Sequence, residues 1–176
     1  MNINDAINFI EKAIPQSDKP QTWADLGCGG GTFTNALAQL LPYGSRIYAV
    51  DSRLQNFPKV LGNNVSIDFL KADFETTDFY FANLDGILMA NALHYVEDKK
   101  SLISKLENYL SADKNFLIIE YDTTNNNQWV PYPVSFQQLE ELFKSFGNKK
   151  IHNVGERKSI YGQGNMYAVV INTINQ

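Results

Sequence analysis

The sequence predicts an α/β fold: a mostly parallel sheet with helices on both faces and an antiparallel hairpin at its C-terminal end. Three observations carry this. Short apolar runs of strand length alternate with stretches of helical periodicity along most of the 176 residues, the pattern of strand-helix-strand units. The first such run ends in a cluster of glycines that precedes a helical stretch. The last two runs follow one another with no room for a crossover helix, so they must pair antiparallel.

Each element has its own signal. Ile3, Ile7, Ile10 and Ile14 fall on one face with Ala6 and Phe9 beside them, the spacing of an amphipathic helix that Pro15 stops. After a polar connector, "TWADLG" (Thr22 to Gly27) reads as a strand, and a helix is expected from about Thr32 to Leu41, before Pro42. Further strands are expected at Arg46 to Asp51, Val65 to Leu70, Leu84 to Ala90 and Asn115 to Tyr121, with helix-compatible segments between them. A helix from Lys99 to Leu110 would put Leu102, Ile103, Leu106 and Leu110 on one face behind Asp98 as N-cap. Another starts at Ser135, with Gln138 at the capping-box position, carries Phe136, Leu139, Leu142, Phe143 and Phe146, and ends at Gly147. "KIHNVGER" and "NMYAVVINT" close the chain as the hairpin, which makes seven strands in all. His152 is expected to face solvent from the edge strand, and the polar stretch Thr123 to Pro133 is long enough to be a functional loop.

Composition narrows the class of function. Hydrophobic residues at 44% and charged residues at 19% exclude a disordered chain. One domain is expected over residues 1–176, with an N-terminal helix and connector at 1–20 and a core at 22–173. The net charge of −4 supplies no positive field to gather nucleic acid, and the pairs Lys99/Lys100 and Lys149/Lys150 are read as solvated faces. With Cys28 the only cysteine, no disulfide and no cysteine-based metal site can form within the chain, so no metal is expected and a reducing, cytoplasmic setting is. Asp5 and Glu11 stand where a signal peptide would be basic and then apolar, and no run approaches the ~18 apolar residues of a membrane span.

The chemistry concentrates in "ADLGCGGGTFT", Ala24 to Thr34. Gly27, Gly29, Gly30 and Gly31 permit a sharp strand-to-helix turn and let a ligand approach bare backbone at a helix N-terminus. A dinucleotide site wants G-x-G-x-x-G, and the third position here is Thr32. Asp25, two positions before the first glycine, would repel a pyrophosphate but suits a ligand bearing an ammonium group. Asp51 ends the next strand, where such folds place a carboxylate for ribose hydroxyls. Asp73 follows the third strand, with Phe74 able to cover an aromatic base.

On these residues the sequence resembles the class I S-adenosylmethionine-dependent methyltransferases of small-molecule type, from about Thr22 to Thr173. "DLGCGGGTFT" looks like that family's first motif. The resemblance implies a three-layer Rossmann-like sheet of seven strands, in which Asp25, Gly27, Cys28 and Gly29 hold the methionine portion of the cofactor. It assigns the ribose to Asp51 with Ser52 beside it, and the adenine border to Asp73 and Phe74. In "LDGILMANALHYVED" it places Asn91 and His94 near the methyl-donor end. The implied function is transfer of a methyl group from S-adenosylmethionine to an O, N or C nucleophile of a small molecule by in-line displacement. His94 is then a candidate general base or a packed residue, and Tyr95, Trp129, Tyr132 and Tyr161 are candidate substrate contacts. "MANA" at Met89 to Ala92 lacks the Asn/Asp-Pro-Pro-aromatic motif of exocyclic-amine methyltransferases, which with the net charge makes nucleic acid an unexpected partner, and the missing apolar span makes a membrane another. A monomer or homodimer is expected. Two rivals stand beside this reading: a non-catalytic cofactor-binding or regulatory module of the same fold, and an NAD-dependent oxidoreductase.

Overall fold

The computed structural model describes residues 1–147, 149–158 and 165–173. In chain order these form α1 (Ile3–Ile10), β1 (Thr22–Leu26), α2 (Thr32–Leu40), β2 (Arg46–Asp51), β3 (Val60–Leu61), β4 (Val65–Lys71), β5 (Leu84–Ala90), α3 (Lys99–Glu107), β6 (Leu110–Tyr121), α4 (Phe136–Lys144), β7 (Lys149–Lys158) and β8 (Asn165–Thr173). One sheet runs β3-β4-β2-β1-β5-β6-β8-β7. The pairs from β4 to β6 are parallel, and β8 runs antiparallel to both β6 and β7. This is the Rossmann-like arrangement with the expected hairpin.

Alternation along the strands builds two cores. Trp23, Leu88, Leu117 and Ile119 face α1 and α2, while Ala24, Leu26, Ile87, Met89, Phe116 and Ile118 face α3 and α4. Strands buried on both faces read as near-continuous apolar runs, which is why their positions were visible in the sequence. Caps fix the helices. The Asn2 side chain accepts from the Asp5 amide, Asp98 from that of Ser101, and Ser135 and Gln138 form a reciprocal capping box. Among the described residues no helix is long and apolar enough to cross a membrane. His152 is exposed on β7, at the sheet edge.

Four expectations need correction. The sheet has eight described strands rather than seven, because left-handed turns at Gly62 and Asn64 fold the two-residue β3 back against β4. The helical reading to Leu110 runs too far. The helix stops at Glu107, Tyr109 leaves it to accept a hydrogen bond from the Phe79 amide (3.1 Å), and Leu110 pairs with Leu84 as the first residue of β6. No helix joins β2 to β4 or β4 to β5 among the described residues. Pro58 interrupts the first connection, and aromatic packing replaces the second: Phe81 stacks on Tyr48 (4.8 Å) and Phe79 (4.6 Å) with Tyr109 edge-on, and so covers the sheet face that a helix would cover. Lys149 is no solvated residue, for its side chain is buried and paired with Glu107.

Gly86 in β5 shows how tightly this core is built. A Cβ there would lie 2.4 Å from the ring of Trp23, which is fully buried. Gly86→Ala is expected to destabilise the fold by about 1–3 kcal/mol through overpacking, lowering the thermal midpoint by roughly 2–12 °C; an unchanged midpoint would contradict this packing.

Candidate functional site

The carboxyl ends of the parallel strands open into a pocket of about 870 Å³. It forms where the chain, having run outward from β1 to β2 and β4, returns to place β5 on the other side of β1. Such switch points are where ligands of open α/β sheets bind. Asp25, Gly27, Cys28, Gly29, Asp51, Ser52, Asp73, Phe74 and Asn91 all line it.

The glycine turn is held from below. The amides of Gly27 and Cys28 both donate to the Val50 carbonyl (2.8 and 3.0 Å), and the Gly31 amide donates to the Cys28 carbonyl (2.9 Å). Gly27 has φ 75° and Gly31 φ 80°, a left-handed backbone that side chains strain. Space forbids a side chain too, since an added Cβ would meet Ala92 at 2.6 Å from Gly27 and Phe57 at 2.4 Å from Gly31. At Gly29 and Gly30 nothing lies within 4 Å of such a Cβ, so bare backbone faces open space.

Asp25 alternates to the α2 side of β1, the same face as Trp23, and this sets its surroundings. It is 1% exposed, and one carboxylate oxygen accepts a 2.5 Å hydrogen bond from the Thr34 hydroxyl in the first turns of α2. The other oxygen is buried without a hydrogen-bond partner. Burial lifts the Asp25 carboxyl from its ordinary range to about 7; the bond from Thr34 opposes this and the charge of Asp51 adds to it. Across the turn, the Asn91 side-chain oxygen is a second buried acceptor with no partner. Asn91 follows β5 in a left-handed conformation (φ 52°) with its amide bonded to the Ile119 carbonyl at 2.8 Å.

The other two acids shape the rim. Asp51 at the end of β2 accepts from the Gly29 and Arg53 amides (both 2.8 Å), and Asp73 accepts from the Glu75 amide (2.9 Å). The Phe74 ring approaches Gly27. Cys28 lines the pocket with a thiol that burial, then the charges of Asp25 and Asp51, push well up from its usual range. A shift in that direction disfavours the thiolate that a nucleophile or metal ligand needs.

His94 is placed behind the wall rather than in it. It is 2% exposed, its Nδ1 lies 2.6 Å from one oxygen of Glu120, and its amide donates to the other at 3.1 Å. Its ring stands 4.4 Å from Tyr95 and 6.1 Å from Tyr121, centroid to centroid, and these two tyrosines line the pocket. Of the expected substrate contacts, Tyr95 is thus at the site. Trp129 and Tyr132 are not, nor is any residue of Thr123 to Pro133. That segment is pinned outward: the Tyr132 amide donates to the His94 carbonyl (2.9 Å), Lys99 donates to the Tyr132 carbonyl (2.8 Å), and the Tyr132 hydroxyl donates to Glu97 (3.2 Å). Tyr161 lies outside the described residues.

Sequence reasoning missed the far wall. Tyr121, Met166, Arg157 and Lys158 line the pocket from the ends of β6, β8 and β7, and Arg53 and Glu75 from the loops beyond β2 and β4. The hairpin carried a usable signal. Once β8 runs antiparallel to β6, Met166 falls opposite Tyr121 and Arg157 opposite Met166, so one row of residues crosses the sheet at the pocket.

Comparison with known proteins agrees with this architecture. An uncharacterised methyltransferase of Mycobacterium bovis is 26% identical over 107 residues, 60% of this chain and 54% of that protein, so the chain spans about half the length of such relatives. Malonyl-[acyl-carrier protein] O-methyltransferase 2 of Coxiella burnetii is 33% identical over 91 residues, 51% of this chain and 36% of that one. The 1,6-didemethyltoxoflavin-N1-methyltransferase of Burkholderia thailandensis, solved with 1,6-didemethyltoxoflavin and S-adenosylhomocysteine, superposes with a TM-score of 0.70 at 17% identity over 98% of this chain and 78% of that one, which shows a shared fold. The family described as a methyltransferase domain matches residues 24–118, a stretch that holds the glycine turn, all three rim acids and Asn91. More than half of the sequence lies in that match, and the chain belongs to the methyltransferase domain family.

Proposed function

We propose that this chain is an enzyme that uses S-adenosylmethionine to methylate an O, N or C nucleophile of a small molecule. The observation that carries the reading is the pair of buried, unpartnered acceptors at the glycine turn, Asp25 Oδ1 and Asn91 Oδ1. Two acceptors without donors are costly unless a ligand brings the donors, and an ammonium group is such a ligand. The structural neighbour that holds S-adenosylhomocysteine shares this fold.

The residues present fit the cofactor. Asp25, with Asn91 opposite, takes the amino group of the methionine portion, and the open backbone at Gly29 and Gly30 leaves room beside it. Asp51 with Ser52 serves the ribose; its carboxylate keeps lone pairs beyond those given to the Gly29 and Arg53 amides. Asp73 and Phe74 border the adenine. Bound there, S-adenosylmethionine supplies an activated methyl group on a sulfonium leaving group. The protein's remaining task is to orient the acceptor and exclude water, which suits a pocket whose histidine is locked behind its wall. A dinucleotide fits poorly, since its pyrophosphate would meet the Asp25 carboxylate. A cytoplasmic setting and a monomer or homodimer belong to the same proposal.

Thermal unfolding with S-adenosylmethionine, S-adenosylhomocysteine or NAD tests it. At 100 times its dissociation constant a ligand adds about 2.7 kcal/mol, so the first two are expected to raise the midpoint by roughly 5–10 °C. Asp51→Ala should abolish the shift. A shift with NAD alone would sink the reading, and binding of S-adenosylhomocysteine without turnover on any small-molecule acceptor would favour the non-catalytic module.

Asp25 gives a second test, in pH. The free carboxyl titrates near 7 in the folded chain and near 4 when unfolded, so the folded state binds more protons in between. The contribution of Asp25 to stability without ligand therefore falls as pH rises from about 4 to 7 and is level above that. Capturing an ammonium needs the carboxylate, so affinity for S-adenosylhomocysteine should rise about tenfold per pH unit up to about 7 and then flatten. Asp25→Asn is expected to remove both slopes and weaken binding; calorimetry between pH 5.5 and 8 that found identical slopes in wild type and variant would refute the assignment.

A further inference from the structure

Topology gathers the acids that line the pocket on one half of it, where, among the described residues, Arg53 is the one side-chain cation beside them. Asp25, Asp51, Asp73 and Glu75 belong to the ends of β1, β2 and β4, the half assigned above to the cofactor. Across the switch point, the row Tyr121, Met166, Arg157 supplies the wall from β6, β8 and β7, and the next residue, Lys158, lines it too. Among the acids near this row, Asp5 takes up part of the charge by pairing with Arg157, whereas Glu120 and Glu156 are not part of the lining. Glu120 is turned to the opposite face, 1% exposed and bound to His94.

Arg157 donates to Asp5 of α1 at 2.9 Å, with both side chains about a third exposed. That contact occupies part of a guanidinium fork that carries five donors. Lys158 is exposed and makes no ion pair among the described residues. Beside these cations stand two aromatic rings and a thioether: Tyr95, Tyr121 and Met166. The rings are backed by His94, which Glu120 holds through two hydrogen bonds. Apolar side chains and two cations that line one pocket select for both features in one molecule.

We propose that the methyl acceptor is a small carboxylate with an apolar aryl or alkyl body, its anionic group held by Arg157 and Lys158 and its body packed against Tyr95, Tyr121 and Met166; one carboxylate oxygen would form the new O–CH3 bond as the sulfur–methyl bond breaks, giving a methyl ester and S-adenosylhomocysteine with no proton to remove. This rests on the methyltransferase reading, which assigns the acidic half of the pocket to the cofactor. Planar, forked Arg157 matches a carboxylate in geometry, and Lys158 adds a mobile point charge.

The test uses the full chain saturated with S-adenosylhomocysteine. Benzoate, phenylacetate, 3-phenylpropionate and octanoate are titrated by calorimetry against their primary amides and against benzylamine. The carboxylates are expected to bind at least about tenfold more tightly than the matching amides, with a preference that shrinks as salt rises. Lys158→Gln, which touches no ion pair of the fold, should cut that preference about fivefold or more and leave S-adenosylhomocysteine affinity unchanged. Asp5→Asn, by freeing the Arg157 fork, should strengthen carboxylate binding several-fold. Equal affinity for carboxylate and amide, no binding of either, or preference for the amine overturns the proposal while the methyltransferase reading stands. Failure of S-adenosylhomocysteine to bind removes that reading and this inference with it.

Discussion

A carboxylate buried at the end of the first strand governs the rest of this structure. Asp25 sits at the centre of the sheet, where burial of a charge is costly unless it is paired. The fold satisfies one oxygen through Thr34 and leaves the other buried without a partner at the pocket wall. This requires α2 to start where it does, which requires the chain to reverse within Gly27 to Gly31, and that turn in turn leaves no space for side chains at Gly27 or Gly31. Stability is given up at this carboxylate and at Asn91, whose side-chain oxygen is likewise buried without a partner, and such local violations are what a functional site is expected to show.

From this point the strand order distributes the chemistry. The chain spends its first half on β1, β2 and β4, each delivering an acid to the pocket rim, and its second half on β5, β6 and the hairpin. Parallel strands all deliver their carboxyl ends to one edge, but β8 enters the sheet reversed and so delivers its beginning. That single reversal brings Met166 and then Arg157 into line with Tyr121. The hairpin cations therefore reach the half of the pocket across from its acids without any charge run in the sequence.

What was legible in the sequence follows from the range of the interaction that decides each feature. The glycine turn, Asp25, Asp51 and the apolar strands are local patterns, and the residues they nominated do converge on one pocket. The capping box at Ser135 and Gln138 is likewise local. Leu110 fits the helical period of Leu102 and Leu106 as well as a strand, and its pairing with Leu84 decides the matter. The missing crossover helix between β4 and β5 depends on an aromatic cluster gathered from Tyr48, Phe79, Phe81 and Tyr109, which no window along the chain displays. Trp129 and Tyr132 look like lid residues until Lys99 and the His94 carbonyl pin their segment away from the pocket. Arg157 and Met166 become site residues only through the register of the hairpin.

His94 is the instructive case, because its partner is 26 positions away. A histidine three residues beyond a site asparagine reads naturally as a base, yet Glu120 draws it into the interior and fixes its amide and its Nδ1 together. Such a buried pair is poor support for stability, since removing both groups from water costs about as much as their attraction returns. What it supplies is position. It ties the turn after β5, which carries Asn91 and Tyr95, to the end of β6, which carries Tyr121. A displacement reaction whose leaving group is already activated depends chiefly on alignment. A locked histidine serves that requirement better than a mobile base would, because it holds two rings in place without competing for the acceptor.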